Sequence, residues 1–169
     1  FDDAVEAYGY ALAIDDQFAS GHYNMGNSQL AAGRFTEALE CFNQTLELEG
    51  PSSEVYCSLG LAYVGMGQQD LGLKYFQKAT KLDPVCDEAW FGAGVCLEKK
   101  ENWHQALHFY SKAVKLDFNN ADYWKAVARM DHRIGNIERG PAGGSAQCDV
   151  EGLVALHGRI VVDRDGEGA

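Results

Sequence analysis

The sequence repeats with a period of 34 residues from its start to about residue 139. When the chain is aligned with itself at that interval, no insertion is needed and similar residues fall in fixed columns. Two columns, one of small and one of aromatic residues, are Gly26, Gly60 and Gly94, and Tyr8, Phe42, Phe76 and Tyr110. Small residues suit places where two elements touch, and large rings suit gaps that must be filled. Because one short unit cannot bury its own apolar face, this periodicity predicts units that stack on one another.

Each unit carries the apolar spacing of helices. Ala38, Phe42 and Leu46 recur at intervals of four residues, which is typical of one buried helical face. Turn-forming residues interrupt this pattern twice in a unit, as at Gly33 and at Gly50. The spacing therefore predicts that each unit is a helix, a short turn and a second helix.

The same columns match a known repeat motif, which reads W-x2-L-G-x2-Y, then A-x3-F, then P. The stretch Tyr56–Tyr63 reads Y-x2-L-G-x2-Y, with Tyr in place of Trp, Ala38-x3-Phe42 matches the second part, and Pro84 matches the last. The sequence therefore resembles the tetratricopeptide repeat (TPR) family, as a fragment of a bacterial-type array. This resemblance implies an all-α fold, an α-α superhelix in which antiparallel helix pairs form a solenoid.

The register of the repeat divides the chain into predicted units. Residues 1–18 are expected to be the second helix of a cut repeat, and residues 121–139 the start of a further repeat. Three full repeats are expected between them, at 19–52, 53–86 and 87–120. Residues 140–169 fit no repeat and hold seven of the 19 glycines, which predicts a flexible or non-native tail.

The TPR resemblance implies a concave groove that binds a peptide or helix of another protein, lined by the first helices of successive units. Tyr23, Leu61 and Phe91 are the expected apolar anchors for such a partner. The residues expected to face the groove are Tyr23, Asn24, Asn27, Leu30, Cys57, Ser58, Leu61, Val64, Glu88, Phe91, Val95, Lys99, Lys125, Arg129, His132 and Arg133.

Three cations are expected on one face of the last predicted helix. Lys125, Arg129 and Arg133 follow at intervals of four residues, a spacing that places them on the same side. They could capture an acidic segment or a C-terminal carboxylate; the alternatives are a solvated face or one covered by a further unit. The TPR subgroup that clamps the C-terminal carboxylates of chaperones is matched only at Asn27, so that activity is not expected.

The overall composition narrows the classes of partner and location. The chain has 25 acidic and 14 basic residues and a net charge of -11, which disfavours nucleic acid as a partner because phosphates repel an acidic surface. No apolar run approaches the roughly 18 residues of a membrane span. The five cysteines form no C-x-x-C pair, which favours free thiols in a reducing compartment and hence a cytoplasmic protein.

No catalytic, cofactor or metal site is predicted. His104 and His108 have a spacing that can hold a metal ion, but no third ligand is evident, so solvated histidines are expected. No Ser/His/Asp or Cys/His arrangement can be identified either. We therefore expect a non-enzymatic protein–protein interaction scaffold whose partner is an unidentified protein or peptide. The alternative is the substrate-presenting TPR portion of a larger enzyme, for example a transferase, whose catalytic domain is absent.

Overall fold

The computed structural model describes the backbone of residues 1–139 and the side chains of residues 1–135. Within that part of the chain all regular structure is helical, which confirms the predicted all-α class. The predicted tail, residues 140–169, lies outside the described residues. The eight helices are α1 (Asp2–Ile14), α2 (Ala19–Ala31), α3 (Phe35–Glu49), α4 (Ser53–Gly65), α5 (Gln69–Leu82), α6 (Asp87–Lys99), α7 (Trp103–Leu116) and α8 (Ala121–Arg139).

Neighbouring helices pack in chain order and form a solenoid. The most extensive contacts lie within the pairs α2–α3, α4–α5 and α6–α7, which fall in the predicted units 19–52, 53–86 and 87–120. Short turns join the two helices of each pair, so that the partners run antiparallel. The first helices also touch one another, α2 with α4 and α4 with α6. They therefore stand side by side in one row, and the candidate site lies on that row.

The second residue after the first helix of each pair has a left-handed backbone conformation, and these residues form one column of the repeat. It contains Gly33 and Gly67, both with φ of 76°, and Glu101, with φ of 59°. At Glu101 the next residue, Asn102, donates its backbone N–H to the carbonyl oxygen of Leu97 at 2.9 Å, which closes the helix end. Glycine adopts this conformation without steric cost, whereas the Cβ of Glu101 makes it unfavourable.

The aromatic column of the second helices packs against glycines of the first helices. Phe76 of α5 is only 1% exposed, and its ring lies between Gly60 of α4 and Gly92 of α6. A Cβ added at Gly60 would lie 2.9 Å from that ring, and one at Gly92 only 2.4 Å. Gly26 faces the ring of Phe42 in the same way. The absence of a side chain at these glycines therefore sets how closely the helices approach.

Replacing Gly92 with Ala should destabilise the fold, because the new methyl group would overlap the buried Phe76 ring, which is also in close contact with Gly60. We expect the free energy of unfolding to fall by about 1–3 kcal/mol, as measured by urea denaturation followed by circular dichroism. Gly9→Ala is the matched control, since Gly9 is also helical but has nothing within 4 Å of an added Cβ. That control should raise stability by about 0.5–1 kcal/mol. Equal effects of the two substitutions would contradict the packing role of Gly92.

Replacing Glu101 with Gly should stabilise the fold. Relief of the left-handed strain, about 1–2 kcal/mol, exceeds the added entropy of the unfolded chain, about 0.4–1 kcal/mol. The same denaturation measurement should therefore show a rise of about 0.5–1 kcal/mol in the free energy of unfolding. Gly67→Ala, in the same column, should lower stability instead. A less stable Glu101→Gly protein would show that its side chain matters more than its backbone conformation.

Candidate partner-binding groove

A cavity of about 260 Å³ opens on the face formed by the first helices. Its wall includes six residues that the sequence predicts for the groove, three on α4 and three on α6. Three further residues line it that were not predicted to face the groove. The lining consists of Cys57, Leu61, Val64, Phe76, Glu88, Phe91, Gly92, Val95 and Tyr123.

Two apolar residues on opposite walls of the cavity differ in how firmly they are held. The Phe91 ring stacks on Tyr123, with centroids 4.7 Å apart and planes 30° apart, and lies 5.2 Å from the Tyr110 ring. Leu61 of α4, in contrast, is 49% exposed. The Phe91 wall is therefore preformed, whereas Leu61 offers apolar surface that the folded chain leaves open to solvent.

Tyr123 is the largest residue of the cavity that sequence reasoning missed. Its hydroxyl donates to Asp87 Oδ2 at 2.7 Å, so α8 is joined to the start of α6. Burial raises the pKa of Tyr123, and the bond to Asp87 raises it further. In the other units the same column holds the small residues Gly21, Val55 and Ala89. The change from small residues to a ring within one column is the signal that could have found it.

The predicted groove residues of α2 lie outside the cavity lining. Ser58 on α4 is buried, and its hydroxyl oxygen lies 3.4 Å from Asn27 Oδ1 and 3.5 Å from the Tyr23 hydroxyl, either of which can accept its single hydrogen. Asn24 is exposed, and Leu30 is half-buried against the core that α2, α3 and α4 share. The structure thus brings Tyr23 and Asn27 together at the α2–α4 contact, but it does not bring these α2 residues to the cavity.

Two of the cations predicted on α8 have partners within the chain. The Lys125 ammonium lies 2.9 Å from Asp122 Oδ1. The Arg133 guanidinium lies 4.8 Å from the centre of the Trp103 ring, a cation–π contact that the sequence did not predict. Lys99 of α6 is exposed. None of these three cations lines the cavity.

The third cation, Arg129, is held by Glu98 of α6. Arg129 donates from Nε to Glu98 Oε1 and from Nη2 to Oε2, both at 2.7 Å, and the buried Tyr110 hydroxyl donates to Oε2 at 2.7 Å. Burial alone would raise the pKa of the Glu98 carboxyl. The hydrogen bonds from Arg129 and Tyr110, with the charges of Arg129 and Arg133, hold that pKa below its ordinary value of 4.5. An acidic ligand would therefore compete with Glu98 for Arg129.

The two histidines that suggested a metal site lie on the outer side of α7. His104 and His108 are both exposed, and the His108 ring packs edge-on against Phe109, with centroids 5.9 Å apart. Among the residues that the structure describes, no three His, Cys, Asp or Glu side chains are grouped so that they could hold a metal ion. No helix in this part of the chain combines the length and apolar character needed to cross a membrane.

Comparison with known protein families supports the solenoid. Two profiles described as tetratricopeptide repeat match the chain, one over residues 19–50 and one over residues 57–131. Together they cover more than half of the 169 residues. The chain belongs to the tetratricopeptide repeat family, which confirms the resemblance seen in the repeat motif. No curated protein matches its sequence.

Several solved structures have a similar fold. MamA is 21% identical, with 80% of this chain and 79% of that chain covered and a TM-score of 0.72. The first TPR of Spaghetti (RPAP3), bound to an HSP90 peptide, is 16% identical, with 72% and 97% covered and a TM-score of 0.67. YrrB, described as a TPR protein with an unusual peptide-binding site, is 24% identical, with 94% and 82% covered and a TM-score of 0.64. At these identities the likeness shows the fold alone.

Replacing Glu98 with Gln should remove a pH-dependent part of the stability. Because the folded pKa of Glu98 lies below its unfolded value, its contribution is complete above about pH 5 and is lost as the pH falls through the folded pKa. At pH 7 we expect the substitution to cost about 1 kcal/mol, since Arg129 is 46% exposed and solvent screens the pair.

Thermal unfolding midpoints measured between pH 7 and pH 3 would test this. The difference between the wild-type chain and Glu98→Gln should shrink as the pH falls below about 4. Glu47→Gln, at an exposed position of α3, is the control and should leave the midpoint nearly unchanged throughout. A difference for Glu98→Gln that stays constant across the whole range would contradict the ion pair's role.

Proposed function

We propose that this TPR chain is a protein-interaction scaffold that binds a segment of a partner protein by seating an apolar side chain in the cavity. The observation that carries the proposal is Leu61, which is 49% exposed on the wall of an otherwise well-packed concave face. Covering such apolar surface with a partner removes it from water and is favourable. The TPR fold supports an interaction role of this kind.

The size and lining of the cavity favour a particular kind of ligand. A volume of about 260 Å³ suits one or two side chains rather than a large cofactor. Val64, Phe91 and Val95 offer apolar contacts, and the exposed Glu88 carboxylate supplies the charge on the wall. We therefore expect a peptide or helix that carries an apolar anchor with Lys or Arg close to it.

The pairing of the α8 cations within the chain favours binding through an apolar anchor over capture of a carboxylate. Arg129 already makes a two-point contact with Glu98, and Lys125 is paired with Asp122. A partner's carboxylate would have to replace these internal acids, so the gain in binding free energy would be small. Lys99, which is exposed on α6, is the predicted groove cation that we expect a bound segment to contact.

Two structural neighbours support a peptide as the class of partner. The first TPR of RPAP3 was solved with an HSP90 peptide, and YrrB is described as having an unusual peptide-binding site. We further infer that the chain acts by binding rather than by catalysis. We expect it to work in the cytoplasm, whose reducing environment suits the free thiols of the four cysteines in its described part.

A peptide library can test the site without knowledge of the natural partner. Random peptides displayed on phage would be selected on the immobilised wild-type chain, and the best binder would be labelled for fluorescence anisotropy. Leu61→Gln should raise the Kd of that peptide roughly tenfold, because burial of a leucine side chain contributes about 1.5 kcal/mol.

Leu82→Gln is the matched control for this measurement. Leu82 is 51% exposed, as Leu61 is, but it lies at the end of α5 and outside the cavity. Its substitution should change the Kd by less than roughly twofold, and both variants should keep the helical circular dichroism spectrum of the wild-type chain. Equal weakening by the two substitutions, or no weakening by either, would show that the peptide binds elsewhere.

A further inference from the structure

Two cysteine thiols are in contact beside the cavity. The Sγ atoms of Cys57 and Cys86 lie 3.7 Å apart, although the two residues are separated by 29 positions in the sequence. Cys57 is buried on α4 and lines the cavity, whereas Cys86 is half-buried immediately before α6. Cys41 is engaged differently, since its thiol donates to Gln29 Oε1 at 3.3 Å. The contact between Cys57 and Cys86 therefore places two thiols within reach of a covalent bond.

The backbone around Cys86 allows the two sulfurs to meet. A disulfide requires an S–S distance of about 2.05 Å, so the atoms must approach by less than about 2 Å. Cys86 is the N-cap residue of α6, and its side chain makes no capping hydrogen bond. It belongs to the short link between α5 and α6 rather than to a helix. Rotation of the Cys86 side chain therefore breaks no capping hydrogen bond of α6.

We propose that Cys57 and Cys86 form a redox-active dithiol that a peroxide closes into an intramolecular disulfide. The peroxide oxidises the Cys86 thiol to a sulfenic acid, and one water leaves. The Cys57 sulfur then attacks the sulfenic sulfur, the S–O bond breaks, and the hydroxyl leaves with the Cys57 proton as a second water. The two thiols lose two electrons in total, and these reduce the peroxide. A thiol reductant reverses the bond by exchange.

The surroundings of the two thiols give them different roles. Burial raises the pKa of the Cys57 thiol, and the neighbouring Cys86 with the carboxylates of Glu88 and Asp83 raises it further. Because the thiolate is the reactive form, the raised pKa makes Cys57 a poor first target for the peroxide. Cys57 is suited to the second step, in which the sulfenic sulfur is already beside it. Cys86 is the more accessible of the two and meets the oxidant first.

The disulfide would join the two helices that form the cavity. Cys57 is on α4 with Leu61, and Cys86 precedes α6, which carries Phe91. Closing the bond would therefore tie one wall of the cavity to the start of the other. The modification site is thus adjacent to the proposed groove, but its chemistry needs only the two thiols and a peroxide.

Disulfide mapping after mild oxidation tests the proposal. The folded chain would be treated with one equivalent of hydrogen peroxide, its remaining thiols blocked with N-ethylmaleimide, and the digest analysed by mass spectrometry without reductant. We expect a peptide cross-linked through Cys57 and Cys86, the loss of two of the five thiols, and their recovery with dithiothreitol. Cys57→Ala and Cys86→Ala should each abolish that peptide, whereas Cys148→Ala, the control, should retain it.

Mapping of the wild-type chain decides the question whether or not the variants fold. Cross-links spread among the other cysteines, or a disulfide between two chains, would overturn the proposal. The same holds if Cys57 and Cys86 stay reduced in the folded chain at peroxide concentrations that oxidise the chain in guanidinium. Because no ligand takes part, failure of this experiment would leave the groove proposal untouched.

Discussion

The ring of Phe76, held between Gly60 and Gly92, is the contact on which the concave face depends. The ring belongs to α5, yet it contacts Gly60 of α4 and Gly92 of α6 and so limits how closely both first helices approach it. The same ring forms part of the cavity wall. Leu61 and Phe91, on the two helices it separates, can line one cavity only at that spacing. Core stability and the shape of the site therefore come from a single packing arrangement.

Much of this arrangement can be predicted from the sequence, because position within a repeat fixes which way a helical residue points. That reasoning selects Leu61, Val64 and Phe91, which the structure places in the cavity wall. It misses Tyr123, because its column is filled by small buried residues in the other units. It also misses Phe76, because the aromatic column indicates a core residue and gives no sign that one edge of the ring reaches the groove. A column shows what the repeat units have in common, whereas the cavity depends on a residue, Tyr123, in which one unit differs from the others.

Charge is the property that the sequence predicts least well. Spacing places Lys125, Arg129 and Arg133 on one helix face, since that is a local property of α8. The partner of Arg129, however, is Glu98, which lies 31 residues earlier on a different helix. Such a pairing depends on the twist between successive units and on the reach of both side chains, neither of which a single helix encodes. A row of cations in the sequence is therefore not a row of free charges on the surface.

The contacts of α8 show why this helix is part of the site. Tyr123 stacks on Phe91 and donates to Asp87, and Arg129 binds Glu98, so three interactions join α8 to the groove-forming helix α6. In a stacked repeat protein each unit is stabilised mainly by its neighbours. Without α8, Phe91 would lose one of the two rings that hold it, and the cavity would lose Tyr123 from its wall. The cavity is thus built by α4, α5, α6 and α8 together, and its apolar wall depends on Tyr123 of α8.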